Sequence, residues 1–258
     1  MQNLVTYNTE QPFEDDYYGA DIVANKTIQW WPTDTEKNWQ INKVKHPKVL
    51  KQRKWRKDSI EYTFNSKGFR SIEFKHEPNS IVWLGCSHTI GIGLPNEYTF
   101  AAIVSKHLRL ANFNLGIGGA ANSTCFRVGL YWIPIIKPKY VVYIAPHEFR
   151  LELRVGARIY KQINPHTRPN EGTEQTLWSD FISHDGNVYI QEQKNLLAIQ
   201  SLATNNNAKF LHYNAKYFQS YQGKDKKYEN DWARDCMHAG PLRHKDFADM
   251  VIQDIINL

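Results

Sequence analysis

Residues 81–94, Ile-Val-Trp-Leu-Gly-Cys-Ser-His-Thr-Ile-Gly-Ile-Gly-Leu, begin as a short apolar, β-rich run and pass through Gly85 into a polar turn punctuated by Gly91 and Gly93. A run with no polar face suits a strand covered by helices on both sides. The pattern then recurs. Phe100, Ile103, Val104 and His107 fall at helical spacing and predict a helix over 97–108, and Asn-Phe-Asn-Leu-Gly (112–116) reads as a second strand ending in glycine. A helix is expected from about 123 to 133, a third strand over 140–145, a helix over 195–204, a fourth strand over 209–214 and a closing amphipathic helix from His244. Strands alternating with helices predict an α/β fold, a three-layer α/β/α sandwich around a central parallel sheet, in which ligands bind beyond the carboxyl ends of the strands.

Outward from this core the chain changes character. Residues 1–75 carry Tyr17, Tyr18, Trp30, Trp31, Trp39 and Trp55 among many charges, with no sustained helical period, and read as an N-terminal extension packed on a domain of residues 76–258. Within it Ile60, Tyr62 and Phe64 alternate before Asn65-Ser66-Lys67-Gly68, and Phe69 and Ile72 follow, which predicts a β-hairpin. Residues 151–188 fit neither period and hold turn signals at Asn164-Pro165, Arg168-Pro169-Asn170 and Asp185-Gly186-Asn187; they are expected to form an insertion near the strand ends.

The 258 residues, 41% hydrophobic and 22% charged, exclude a chain disordered throughout. The best apolar run, Val128–Ile136, is interrupted by Pro134 and closed by Lys137, so no membrane span is expected, and the polar, acidic start of the chain reads as neither a signal nor a transit peptide. Three cysteines, Cys86, Cys125 and Cys236, cannot make a disulfide framework and lack zinc-site spacing, so a reducing compartment is expected. Much of the net charge of +6 lies in Lys43–Lys57, which reads as a solvated basic face rather than a nucleic-acid site.

Three loops carry candidate chemistry. Ser87, on a tight turn after the first strand, would project its hydroxyl over the sheet edge with its own N–H as an oxyanion donor, although a glycine-rich loop before a helix has the same look. In Asn114-Leu115-Gly116-Ile117-Gly118-Gly119-Ala120-Ala121-Asn122 the glycines bring backbone amides close to whatever sits above the second strand, an anion or phosphate included. Asp235 and His238, three apart on a turn, allow a carboxylate to bond imidazole Nδ1–H while Nε2 faces a nucleophile; a structural salt link would use the same pair.

In that order these motifs resemble the SGNH (GDSL-like) hydrolase superfamily, esterases and acyl hydrolases with a flavodoxin-like fold. The resemblance covers about residues 61–119 and 235–258. It implies Ser87 as nucleophile, with Cys86 where the family usually has Asp, Gly119 (or Gly118 in the alternative register) as an oxyanion donor, and Asp235 and His238 as the rest of a triad. It implies no cofactor and no metal, and an ester substrate, with an acylated glycan as one candidate if the extension's aromatics and the insertion form a sugar platform rather than packing. One block departs from the family: Pro146-His147-Glu148 stands where Gly-x-Asn-Asp would place the third oxyanion donor, and His147, Arg150 or Asn122 is left to replace it. An ionised Glu148 cannot donate. A binding or structural module that retains the fold without catalysis is the competing reading. The unsecreted, extended form, similar to SGNH-like proteins of phages and bacteria, points to the cytoplasm or a virion.

Overall fold

The computed structural model describes residues 20–154, 160–163, 176, 180, 181, 184–218 and 226–258. The strand β1 (Thr27–Ile28) pairs antiparallel with β2 (Tyr62–Thr63). The central sheet contains β3 (Ser80–Leu84), β4 (Ala111–Asn114), β5 (Tyr140–Ala145) and, after the antiparallel pair β6 (Leu151–Arg154) and β7 (Tyr160–Ile163), β8 (Lys209–Asn214). Its order is β4-β3-β5-β8, parallel throughout. Every residue of β3 and β5 is buried, because aliphatic side chains on both faces meet helices. Each such Val, Ile or Leu contributes about 1.5–3 kcal/mol by leaving water.

The helices in chain order are α1 (Ala20–Val23), α2 (Glu36–Lys45), α3 (Pro47–Gln52), α4 (Ser87–Ile90), α5 (Phe100–Leu108), α6 (Asn122–Ile136), α7 (Asp185–Asn205) and α8 (Pro241–Ile256). α5 packs with α8 and α6 with α7, one pair on each face of the sheet, which makes the three-layer sandwich. Thr99 caps α5 by accepting from Ala102 N, and Asp231 accepts from Leu242 N and Arg243 N at the start of α8. Because β3 lies between β4 and β5, the chain leaves it in opposite directions, and the crevice at its carboxyl end is where an open α/β sheet offers a site.

Several expectations need correction. The turn at Asn65–Gly68 forms, with Gly68 N donating to Asn65 O, but β2 pairs with β1 rather than with residues 69–72, so the hairpin is replaced by a pairing of distant segments. Asn65 ties the returning segment into a loop: its Oδ1 accepts from Lys67 N and Phe69 N, its N donates to Phe69 O and its Nδ2 donates to Ile72 O. The extension, read as lacking helical period, holds α1–α3; two of these, α2 and α3, carry much of the basic 43–57 run. Asp185-Gly186-Asn187 opens α7 rather than making a turn, so the helix expected over 195–204 begins ten residues earlier, at Asp185, and ends at Asn205. The turn signals at 164–170, like Tyr17 and Tyr18, fall outside the described residues.

The four tryptophans of the extension are used for packing. Trp39 and Trp55 are buried with Leu50, Leu94 and Ala233, Trp55 Nε1 donates to Trp232 O, Trp30 lies over the Arg234 guanidinium, and Trp31 meets Phe64 edge-on.

Candidate active site

Gly85 ends β3, and Cys86 in extended conformation leads into α4, whose first residue is Ser87. A Cβ at Gly85 would lie 2.1 Å from Thr89 Oγ1, so this tight strand-to-helix turn requires glycine. The turn is tied to the next loop by Ile117 N donating to Gly85 O at 3.1 Å and by Asn114 Nδ2 donating to Thr89 O at 2.7 Å. Ser87 is buried, 8% exposed. As the first residue of a helix its N–H has no intrahelical acceptor.

The second loop places Gly118 and Gly119 at the carboxyl end of β4, Gly119 with φ of +77°. A Cβ at Gly118 would lie 3.5 Å from Pro32 Cγ, so the extension's Trp31-Pro32-Thr33 segment borders this loop. Asn122 begins α6 and is buried; its Oδ1 accepts from the Tyr143 hydroxyl, which turns its Nδ2 donor the other way.

In the third loop His238 Nδ1 lies 2.6 Å from Asp235 Oδ2, with 12% and 0% of the two side chains exposed. Asp235 Oδ1 accepts from Met237 N and His238 N, and Thr33 Oγ1 donates to Oδ2 at 2.9 Å. Burial pushes the Asp235 carboxyl up, but the charge and hydrogen bond of His238 and the two backbone N–H groups outweigh it and hold it below the usual carboxylate value. Asn42 Nδ2 donates to Asp235 O at 2.8 Å.

The first and third loops are clamped together. Gly93, with φ of +75°, accepts at its carbonyl from Arg234 N at 2.8 Å, and a Cβ there would sit 2.7 Å from that of Ala233. Gly93 N donates to the Tyr62 hydroxyl, which donates to Asp34, and Asp34 forms a buried bidentate pair with Arg234. Arg70, also buried, donates to the carbonyls of Ile90, Gly91 and Leu94 and stacks on Tyr62. Across this junction His88 and His238 meet edge-on with ring centroids 5.1 Å apart.

Of the candidates, Ser87 follows β3, Gly118, Gly119 and Asn122 follow β4, and Asp235 and His238 lie on the loop that Arg234 N ties to Gly93 O; among the described residues no hydrogen bond links Ser87 Oγ to His238 Nε2. His88, next to Ser87, would make a poor base in place of His238: it is buried and stacked on Phe218, and burial first and then the charge of His238 disfavour the protonated form it would have to take. His244 is packed too, its Nδ1 accepting from Phe100 N. Burial first, then Asp235, pushes the Cys236 thiol up to about 12, and Cys86 is buried, so both act as filler.

On the remaining side Arg150 Nη1 donates to Ala120 O at 3.2 Å, Glu148 pairs with Lys216 at 2.5 Å, and burial holds His147 toward its neutral form. Burial raises the Glu148 carboxyl, but the Lys216 bond outweighs that and keeps it ionised, so it donates nothing to the crevice. Sequence reasoning missed Thr33, Asp34, Asn42, Tyr62, Arg70 and Arg234. They are isolated polar residues among aromatics, and no spacing marks them.

No protein-family model matches the chain, and no curated protein matches it in sequence. Among solved structures it is similar to the crystal structure of an acetyl xylan esterase, AlAXEase, at 14% identity over 68% of this chain and 99% of that one, with a TM-score of 0.37. At so low a TM-score the likeness carries no argument about function.

Proposed function

We propose that the chain is a serine hydrolase of carboxylic esters, in keeping with its SGNH-like motifs. The observation that carries this reading is the Asp235–His238 pair at 2.6 Å, on a turn fastened through Gly93 and Arg234 to the loop that follows Ser87. His238 Nε2 takes the Ser87 proton as Oγ bonds to the ester carbonyl carbon, and Asp235 holds the imidazole in the required tautomer. The oxyanion receives the N–H groups of Ser87 and Gly119, with Gly118 as the alternative register. Asn122 Nδ2 replaces the donor missing from Pro146-His147-Glu148, its other end being fixed by Tyr143.

Collapse of the tetrahedral species breaks the bond to the alcohol, which leaves with the proton from His238. Water then attacks the acyl-enzyme by the same route. Catalytic hydrogen bonds are commonly long in a resting site and tighten around substrate, as the Ser87–His238 contact is expected to do. The test is covalent labelling by a fluorophosphonate together with turnover of a short-chain aryl ester. Ser87→Ala is expected to abolish labelling and to lower turnover by at least about 10³-fold; unchanged labelling or turnover in this variant would overturn the assignment of Ser87.

A further inference from the structure

The segment that departs from the SGNH pattern, His147–Glu152, has an uneven charge arrangement. Its two carboxylates are each taken by a cation from elsewhere in the fold: Glu148 by Lys216, and Glu152 by Arg127, which bonds it bidentately through Nε and Nη2 at 2.8 and 2.9 Å with both side chains buried. Arg150, between them, has no carboxylate partner among the described residues. Its hydrogen bond is to the carbonyl of Ala120, the residue after Gly119 and two before Asn122. That bond holds a partly buried guanidinium against the loop proposed to bind the oxyanion. Its field is felt at His88, next to Ser87, and at His147. His147 Nε2 is itself buried without a hydrogen-bond partner among the described residues, and after burial the same cation disfavours its protonation. A guanidinium has five N–H donors in a planar fork matched to an oxyanion, and holding one partly out of water against a single neutral carbonyl is costly unless an anion joins it.

We infer that Arg150 receives an anionic group of the substrate, a carboxylate, phosphate or sulfate, so that the preferred substrate is an ester carrying negative charge close to the scissile bond. This deepens the hydrolase reading and depends on it for the word substrate; the anion site itself does not. The fork bonds the carbonyl of Ala120, the residue after Gly119, so an anion held there lies beside the loop proposed to bind the oxyanion and belongs to the same molecule that presents the ester. Neither Glu148 nor Glu152 opposes it, since Lys216 and Arg127 neutralise them.

Two ester pairs test this: 4-nitrophenyl hemisuccinate against 4-nitrophenyl butyrate, with the charge on the acyl side, and 3-carboxyphenyl acetate against 3-carbamoylphenyl acetate, with the charge on the alcohol side. The wild-type ratio of kcat/KM is expected to favour the charged member of one pair by about 10–100-fold relative to the ratio in Arg150→Gln, with partial recovery in Arg150→Lys. Ratios that do not change in Arg150→Gln would overturn the inference. A fall in both members of each pair by the same factor would also overturn it, placing Arg150 on the oxyanion instead. Equilibrium binding of the same esters to Ser87→Ala reads the preference without turnover. Fluorophosphonate-labelled protein with no charge preference therefore defeats the anion site alone, whereas unlabelled, inactive protein that still binds the charged ester through Arg150 defeats the hydrolase reading alone.

Discussion

The two sides of the candidate site are built from different material. The Ser87 side is made by the backbone of the core: β3 ends at a glycine that tolerates no side chain, and the next loop bonds back to it through Ile117 N and Asn114 Nδ2. The Asp235–His238 side is held by side chains from a segment more than 170 residues earlier: Thr33 on the carboxylate, Asn42 on the backbone, Trp55 on Trp232, Arg53 on Asp231, and Asp34 on Arg234. At Ser87 itself the first side depends on that local backbone geometry, and the extension's Arg70 and Tyr62 hold only the residues after it, Ile90–Leu94. The second depends on residues 33–55 being folded against it, so this part of the extension acts as a wall beside the Asp235–His238 pair rather than an ornament.

The largest expected effect comes from cutting that wall at its most buried joint. Asp34→Ala leaves Arg234, whose side chain is fully buried, without its counter-charge and leaves the Tyr62 hydroxyl without its acceptor. A loss of about 3–5 kcal/mol in urea unfolding is expected. A loss below about 1 kcal/mol would mean that the carbonyls of Lys57 and Gln29, which also accept from Arg234, hold the joint without Asp34.

Acid should distinguish the two sides. On the Ser87 side His88 is held well below its ordinary value, and His244, next in the same aromatic stack, is pushed down to about 3, in both cases by burial first. Their unfolded forms take up protons near the ordinary value of about 6.5 while the folded forms do not. Stability from this source is therefore complete above that pH and is lost as pH falls below it, by about 1.4 kcal/mol per pH unit for each histidine. On the other side Asp235, held below the ordinary carboxylate value, contributes stability that is present at pH above about 4 and is lost only below it. Unfolding free energies measured at pH 7, 6 and 5 should fall steadily, and His88→Phe should reduce the slope by about half. A flat profile between pH 7 and 5 would show that these rings are protonated in the folded protein.

How far the sequence foretold this follows the same division. The sheet was legible because its strands are apolar on both faces and end in glycine or a polar cluster: the boundaries of the strands at 140–145 and 209–214 match the structure, and the core helices differ mainly at their ends. Asp185–Asn205 was under-read because a long helix with polar residues on several faces lacks a clear period at its start. In the extension, Asn65 mimics a hairpin turn while its side chain ties down the residues that would have formed the return strand. Ser87, Asp235 and His238 were legible as motifs. Thr33, Asp34 and Arg234 were not, since a buried ion pair between distant residues leaves no trace in local spacing.

The smallest effect addresses the comparison most directly. Thr33 Oγ1 donates to Asp235 Oδ2, the same oxygen that His238 Nδ1 approaches, so the extension reaches the acid of the proposed triad through one hydroxyl. Thr33→Val keeps the shape and removes that donor. A hydrogen bond to a charged group is worth at least about 1.4 kcal/mol, so kcat should fall about tenfold with KM little changed, because the loss acts on the orientation of His238 rather than on substrate contacts. Thr33→Ser restores the donor and should restore kcat. If Thr33→Val lowers the melting temperature while kcat at a permissive temperature stays at the wild-type value, Thr33 only fastens the extension. The wall would then shape the site without acting on its chemistry.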